Sequence, residues 1–179
     1  MAAKASEALE TPRLVLRQFR EQDLCAYTAM LSDAETSMYL GNGLPQSRED
    51  CWRSIGYMLG HWQIRGYGLY AAEERETGAM IGRIGLYRPE GWPGLEVGWL
   101  VQRDRWGQGY ATEGGAAVRD HAFEALGAKR LVSVIRPSND ASIRVAEKLG
   151  ETFAERIQLQ GVAANIYALS RDAWAARPR

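Results

Sequence analysis

Only two cysteines and two histidines occur in the chain, and their scarcity closes off several chemistries. Cys25 and Cys51 show no CxxC spacing, so a disulfide scaffold and a zinc ribbon are both excluded. Two free thiols suit a reducing cytosol, and each falls on an expected helix, where a small buried hydrophobe is the expectation. His61 and His121, with no carboxylate cluster at ligand spacing, leave no metal site to expect. Net charge is missing too, because 22 Lys+Arg balance 22 Asp+Glu. A neutral chain has no global electrostatic footprint for nucleic acid or an anionic membrane, so any anion it binds must be held locally. No run of about 18 apolar residues is present to span a bilayer, and the first residues lack the apolar core of a signal peptide. The expectation is a cytoplasmic protein without nucleic-acid or membrane partners.

What is present is ordinary for a globular domain: 179 residues, 46% hydrophobic and 25% charged. Without repeats or Gly/Ser/Pro-rich linkers, the chain reads as a disordered tail over residues 1–9 and one domain over 10–175. Residues 14–19 read as a strand and 21–32 as a helix; 33–44 are ambiguous between a short helix and a loop. Ser47 caps a helix that runs to Arg65 and ends at Gly66, with Trp52, Ile55, Leu59 and Trp62 as its apolar stripe. On that helix His61 reads as partly exposed, and Trp52 and Trp62 as core. Residues 67–73 and 79–87 form a hairpin, and a strand follows at 95–101. A helix over 112–126, a strand over 130–135, a helix capped by Ser138 and closed by Gly150, and strands at 152–158 and 164–170 complete the pattern. Strands outnumber helices, and only the middle offers a β-α-β crossover, so the class is mixed α/β rather than doubly wound.

Between the strand at 95–101 and the helix after it stands Arg105-Trp106-Gly107-Gln108-Gly109-Tyr110-Ala111-Thr112-Glu113. A glycine-rich turn feeding a helix aims backbone N–H groups and the positive helix end at one spot, which suits a pyrophosphate. A dinucleotide fold would put such glycines after the first strand, with an acidic residue about 20 positions later for the ribose. Here the turn lies past mid-chain and the next strand ends Ile135-Arg136-Pro137, without a carboxylate. A Walker A loop would need Gly-Lys-Ser/Thr, which is absent.

The segment Trp106 to Ala111 resembles the Gln/Arg-x-x-Gly-x-Gly/Ala signature of the GCN5-related N-acetyltransferase (GNAT) superfamily, with Trp106 in place of Gln or Arg. A tryptophan there, the opening Glu10-Thr11-Pro12-Arg13-Leu14, Gly98-Trp99-Leu100-Val101 and Asn139-x-x-Ser142 are similar to the RimJ/RimL-like ribosomal-protein N-terminal acetyltransferase branch. The likeness spans about residues 10–170. It implies a central mixed sheet of about seven strands, mostly antiparallel with one parallel β-α-β pair, flanked by about four helices. It also implies transfer of acetyl from acetyl-CoA to a primary amine in a ternary complex, the amine being a protein N-terminus or a small molecule. The protein would act as monomer or homodimer. A rival from another class is a non-catalytic acyl-CoA-binding or regulatory module with the same fold.

The resemblance also implies site residues. Backbone groups of Trp106, Gly107, Gln108, Gly109, Tyr110, Ala111 and Thr112 would hold the pyrophosphate. Those of Trp99, Leu100 and Val101 would pair with the pantetheine arm like an added strand, beside a bulge expected at Gly98. Asn139 would bond the arm from the far side, or cap the next helix. Arg103 and Arg105 would meet phosphate or solvent. Strand alternation sets Glu96, Gly98 and Leu100 on one face, so Glu96 serves as base through water, or as ligand for a cationic substrate. Ser142 would protonate the leaving thiolate, or merely cap; Tyr110 and Tyr167 are alternatives. Tyr39, Arg83 and Trp92 would contact the acceptor.

Overall fold

The computed structural model describes residues 8–177, and one sheet organises them. Its strands are β1 (Ala8–Glu10), β2 (Leu14–Arg17), β3 (Leu69–Glu74), β4 (Met80–Tyr87), β5 (Glu96–Val101), β6 (Arg130–Ile135), β7 (Thr152–Leu159) and β8 (Val162–Ser170). They lie in the order β1-β2-β3-β4-β5-β6-β8-β7. Every adjacent pair is antiparallel except β5 and β6. The crossover between those two is helix α4 (Tyr110–Glu124), as a parallel pair requires. The mixed class and single parallel pair agree with the expectation. The strand beyond the expected seven is β1, so residues 8 and 9 of the expected tail are paired with β2, while residues 1–7 lie outside the described residues.

Five further helices are described: α1 (Leu24–Leu31), α2 (Ala34–Ser37), α3 (Arg48–Arg65), α5 (Asp140–Leu149) and α6 (Arg171–Ala175). They cover both sheet faces. On one, Val118, Ala122 and Phe123 of α4 and Leu149 of α5 pack on Leu14, Leu16, Ile84, Val97, Val101 and Leu131. On the other, Tyr27 and Leu31 of α1 and Cys51, Ile55 and Met58 of α3 pack on Leu69, Ala71 and Leu100. Helix α4 comes close to β4 because position 114 lacks a side chain. A Cβ at Gly114 would stand 2.6 Å from Ile84 Cδ1.

Helix α3 begins and ends where its caps predict. The Asp50 N–H donates to Ser47 Oγ at 3.1 Å, and Gly66 is left-handed at φ 74°. Its buried face differs from the expected stripe. Cys51, Ile55, Met58 and Trp62 are buried, whereas Trp52 and Leu59 are exposed. At about 100° per residue, two adjacent stripes both satisfy helical spacing, and contact with α1 selects the one through Cys51. His61 consequently turns inward. The Arg88 N–H donates to its Nε2 at 3.1 Å, so Nδ1 carries the hydrogen and donates to the Tyr67 carbonyl at 3.0 Å. Burial lowers the pKa of this histidine. Cys25 is exposed rather than buried. The cap of α5 is Asn139, whose Oδ1 accepts from the Ser142 N–H at 3.2 Å, and not Ser138.

Behind β6 lies a buried carboxyl that no sequence pattern marks. Glu151 follows the Gly150 cap, is 3% exposed, and has no partner for Oε2 among the described residues. Burial pushes its pKa up to about 8, with the Glu96 charge adding and the Ser133 hydroxyl and Arg119 opposing. A carboxyl held protonated in the fold but ionised in the unfolded chain makes stability fall as pH rises from about 4.5 to about 8. Glu151→Gln, which keeps a neutral group there, should therefore raise the melting temperature, by more at pH 8 than at pH 5. An equal shift at both pH values would contradict the assignment.

Candidate active site

The parallel seam is bonded over one register only, Glu96 opposite Val132. The Val132 N–H donates to the Leu95 carbonyl at 2.9 Å. One step further, the Val97 carbonyl takes the Ser133 hydroxyl at 2.8 Å instead of a backbone N–H. The Val134 N–H turns to the Glu96 carboxylate. Side chains thus replace the ladder, and the strands separate beyond this point. On its other edge β5 stays fully paired with β4, from Tyr87↔Glu96 to Gly82↔Val101, with no shift of register. The expected bulge at Gly98 does not form; the opening arises on the β6 side alone.

Bond parity shows which β5 groups face the opening. Carbonyls of residues 95 and 97 point toward β6, while the Gln102 N–H reaches the Ile81 carbonyl on the β4 side. Successive residues alternate, so the backbone of Trp99 and Val101 faces the opening and that of Leu100 faces β4. This corrects the expectation that all three backbones are available. The Val101 carbonyl is already taken by the Trp106 indole N–H at 2.6 Å. The Trp99 N–H and C=O and the Val101 N–H remain.

Side chains gather on both sides of this opening. On the α5 side, the Trp99 indole donates to Ser142 Oγ at 3.3 Å, beside a small cluster of Ile135, Ala146 and Tyr167. The Ser142 hydroxyl therefore accepts one bond and keeps its own hydrogen to give. On the α3 side, Glu96 Oε2 accepts from the Trp92 indole at 2.6 Å. Burial raises the Glu96 pKa to about 7, against the lowering effects of Trp92, the Val134 N–H and the Arg83 charge. Tyr87, opposite Glu96 in the β4 register, packs edge-on against Trp92 with centroids 5.0 Å apart. Arg83 lies on the same face, opposite Leu100, and donates to Tyr27 Oη at 2.6 Å. Tyr39 lies beside the connection after β6: its hydroxyl donates to the Ser138 carbonyl at 3.0 Å, and Arg136 bonds the Gly41 carbonyl. These bonds tie loop 38–44 to the connection after β6.

The glycine-rich turn has the shape that an anion cradle needs. Gly107 and Gly109 are left-handed, at φ 74° and 85°, a region open to glycine at little cost. Among the described residues, no protein group accepts the backbone N–H of any residue from Gly107 to Thr112. The Trp106 N–H, by contrast, is spent on the Arg103 carbonyl, so Trp106 contributes its indole staple rather than a free donor. Two glutamates that the motif did not reveal hold this shape. Glu113 accepts from the Thr11 hydroxyl, the Arg13 N–H and Arg13 Nε at 2.6, 2.8 and 2.6 Å. Glu74 accepts from the Tyr110 hydroxyl at 2.6 Å and from Arg105 and Thr77. Those bonds hold its pKa down to about 2. Tyr110 is thereby committed and not free to act as an acid. Arg105 is paired with Glu74 and Asp104, and Arg103 with Asp33 and Glu35. Neither arginine waits unpaired for a phosphate.

No cluster of three or more His, Cys, Asp or Glu able to hold a metal occurs among the described residues. None of their helices is long and apolar enough to cross a membrane.

The acetyltransferase (GNAT) domain family matches residues 13–152. An uncharacterised N-acetyltransferase of Bacillus subtilis, YoaA, is 32% identical over 143 residues, covering 79% of this chain and 81% of that protein. The solved acetyltransferase from Agrobacterium tumefaciens is 32% identical with a TM-score of 0.80, covering 90% of this chain and 93% of that one. RimL, a ribosomal L7/L12 α-N-protein acetyltransferase solved with coenzyme A, shares the fold at 22% identity. Its TM-score is 0.78, over 93% of this chain and 99% of its own.

Ser133→Ala should cost about 1–3 kcal/mol, the penalty for a buried carbonyl left without its donor. Urea denaturation measures it, and a loss under about 0.3 kcal/mol would show that water replaces the hydroxyl.

Proposed function

The chain belongs to the GNAT acetyltransferase family and is an acetyl-CoA-dependent N-acetyltransferase, and from that premise we propose how its own residues divide the work. The observation that carries the reading is the side-chain-capped opening between β5 and β6, with backbone groups at Trp99 and Val101 unpaired among the described residues. The amides of residues 107–112 hold the pyrophosphate, and the Trp99 backbone pairs with an amide of the pantetheine arm. Asn139, engaged as the cap of α5, positions Ser142. The bound cosubstrate supplies an acetyl thioester.

Glu96 takes the proton from the incoming ammonium. Amines have pKa values well above neutrality, so attack needs a base whose own pKa lies near the working pH, and Glu96 at about 7 meets that requirement. The neutral amine forms the C–N bond to the acetyl carbon as the C–S bond breaks, in one ternary complex. Ser142, held by the Trp99 indole, gives its hydroxyl proton to the departing sulfur and is reprotonated by the proton that the new amide nitrogen sheds. The acceptor approaches from the α3 side, past Trp92 and Arg83.

Thiol release from acetyl-CoA with a panel of amines tests the reading. Wild-type kcat/KM should rise with pH through an ionisation near 7, because Glu96 acts in its deprotonated form. Glu96→Gln should lose that ionisation and about 10²–10⁴-fold in rate. Ser142→Ala should lower kcat with little change in KM. Unchanged turnover in both variants would reject the residue assignment. A protein that binds coenzyme A but stays inert across the panel would instead be an acyl-CoA-binding module.

Gly109→Val tests the cradle separately. A β-branched residue at φ 85° is strained and brings a side chain against the amides. Calorimetry should show at least tenfold weaker coenzyme A binding; undiminished affinity in a folded variant would refute the placement.

A further inference from the structure

On the α3 side of the opening, two groups of opposite charge share one face. Tyr87↔Glu96, Gly85↔Gly98 and Arg83↔Leu100 are successive same-face pairs of β4 and β5. Glu96 and the position opposite Arg83 are four residues apart, roughly 13 Å between backbone positions, while the side-chain charges of Glu96 and Arg83 are close enough to act on each other. Between them Gly98 leaves the floor bare. The three atoms nearest a Cβ there, of Glu96 and Leu69, stand at ordinary contact distances of 3.6–3.9 Å. Tyr87 and Trp92 wall the Glu96 end.

Arg83 is the unusual member. It is half-buried, and its guanidinium donates to the Tyr27 hydroxyl at 2.6 Å and lies 5.9 Å from the centroid of that ring. Among the described residues it makes no ion pair, while Arg13, Arg17, Arg103 and Arg105 all do. Its charge reaches Glu96 and Tyr87. An arginine cannot shed its proton, and a partly desolvated charge without a counter-ion is costly. The carboxylate its charge reaches, Glu96, is the one the mechanism uses on the amine, so when an acceptor sits there Arg83 still lacks an anion.

Building on the reading of Glu96 as base, we infer that the acceptor is a small zwitterion: an amino acid whose amine meets Glu96 and whose carboxylate meets the Arg83 guanidinium. Guanidinium and carboxylate match as a two-pronged hydrogen-bonded pair. A polyamine or an aminoglycoside would bring a second cation toward Arg83 and is disfavoured.

The test compares phenylalanine, phenylalaninamide and phenethylamine, with spermidine and kanamycin as polycations, on wild type, Arg83→Lys and Arg83→Met. Loss of a charged hydrogen-bonded partner corresponds to about ten- to a hundredfold. Phenylalanine should exceed both analogues in kcat/KM by that factor. The amide's less basic amine favours the amide chemically, so a preference for the acid reports its carboxylate. Arg83→Met should shrink the preference to within about twofold, with Arg83→Lys between. A second arm needs neither turnover nor a variant. With coenzyme A present, N-acetylphenylalanine should bind wild type at least tenfold more tightly than N-acetylphenethylamine by calorimetry. Analogues or polycations used as well as phenylalanine, or a preference that survives in folded Arg83→Met, would overturn the inference and leave acetyl transfer standing. Inertness toward every amine would reject the proposed chemistry, and the binding arm would still decide whether Arg83 receives a carboxylate.

Discussion

A parallel ladder that stops after one register is the constraint on which this site depends. The seam between β5 and β6 is bonded at Glu96 and Val132 and then opens. Opening a sheet interior normally strands buried backbone groups. Here the Ser133 hydroxyl satisfies the Val97 carbonyl and the Trp106 indole satisfies that of Val101, so the gap has two finished ends and a short reactive edge between them. Because β4 holds β5 without interruption on the other side, the opening is a fixed feature of the sheet.

The same opening explains why the candidate acid and base sit on opposite faces. Ser142 and Trp99 approach from the α5 layer, and Glu96 with Trp92 from the α3 layer. Two substrates entering from opposite sides can meet there without competing for one pocket. The buried carboxyl of Glu151 adds to the electrostatics, since its ionisation would push the Glu96 pKa upward. Keeping that group protonated near neutrality protects the candidate base from a second negative charge.

The glycine turn shows a different dependence. Its motif is local, but its shape rests on Glu74 and Glu113, partners of residues far away in the chain. Those two carboxylates also take up Arg105 and Arg13. The anion site is consequently built chiefly from backbone amides. This explains how a chain with no net charge can offer a place for a pyrophosphate.

Local chemistry was legible without coordinates: the Ser47 and Gly66 ends of α3, the β6 boundaries, the crossover, and the face on which Glu96 lies. These follow from caps, glycine and period-two alternation, which act over a few residues. The tertiary structure decided the rest. It chose the Cys51 stripe over the Trp52 stripe, turned His61 inward, aimed the Leu100 backbone at β4, and left Arg83 without an ion pair among the described residues while pairing Arg103 and Arg105. Each of these outcomes depends on which strand or helix lies alongside. The sequence determines which faces and ends are possible; long-range contact determines which of them is buried, paired or left open.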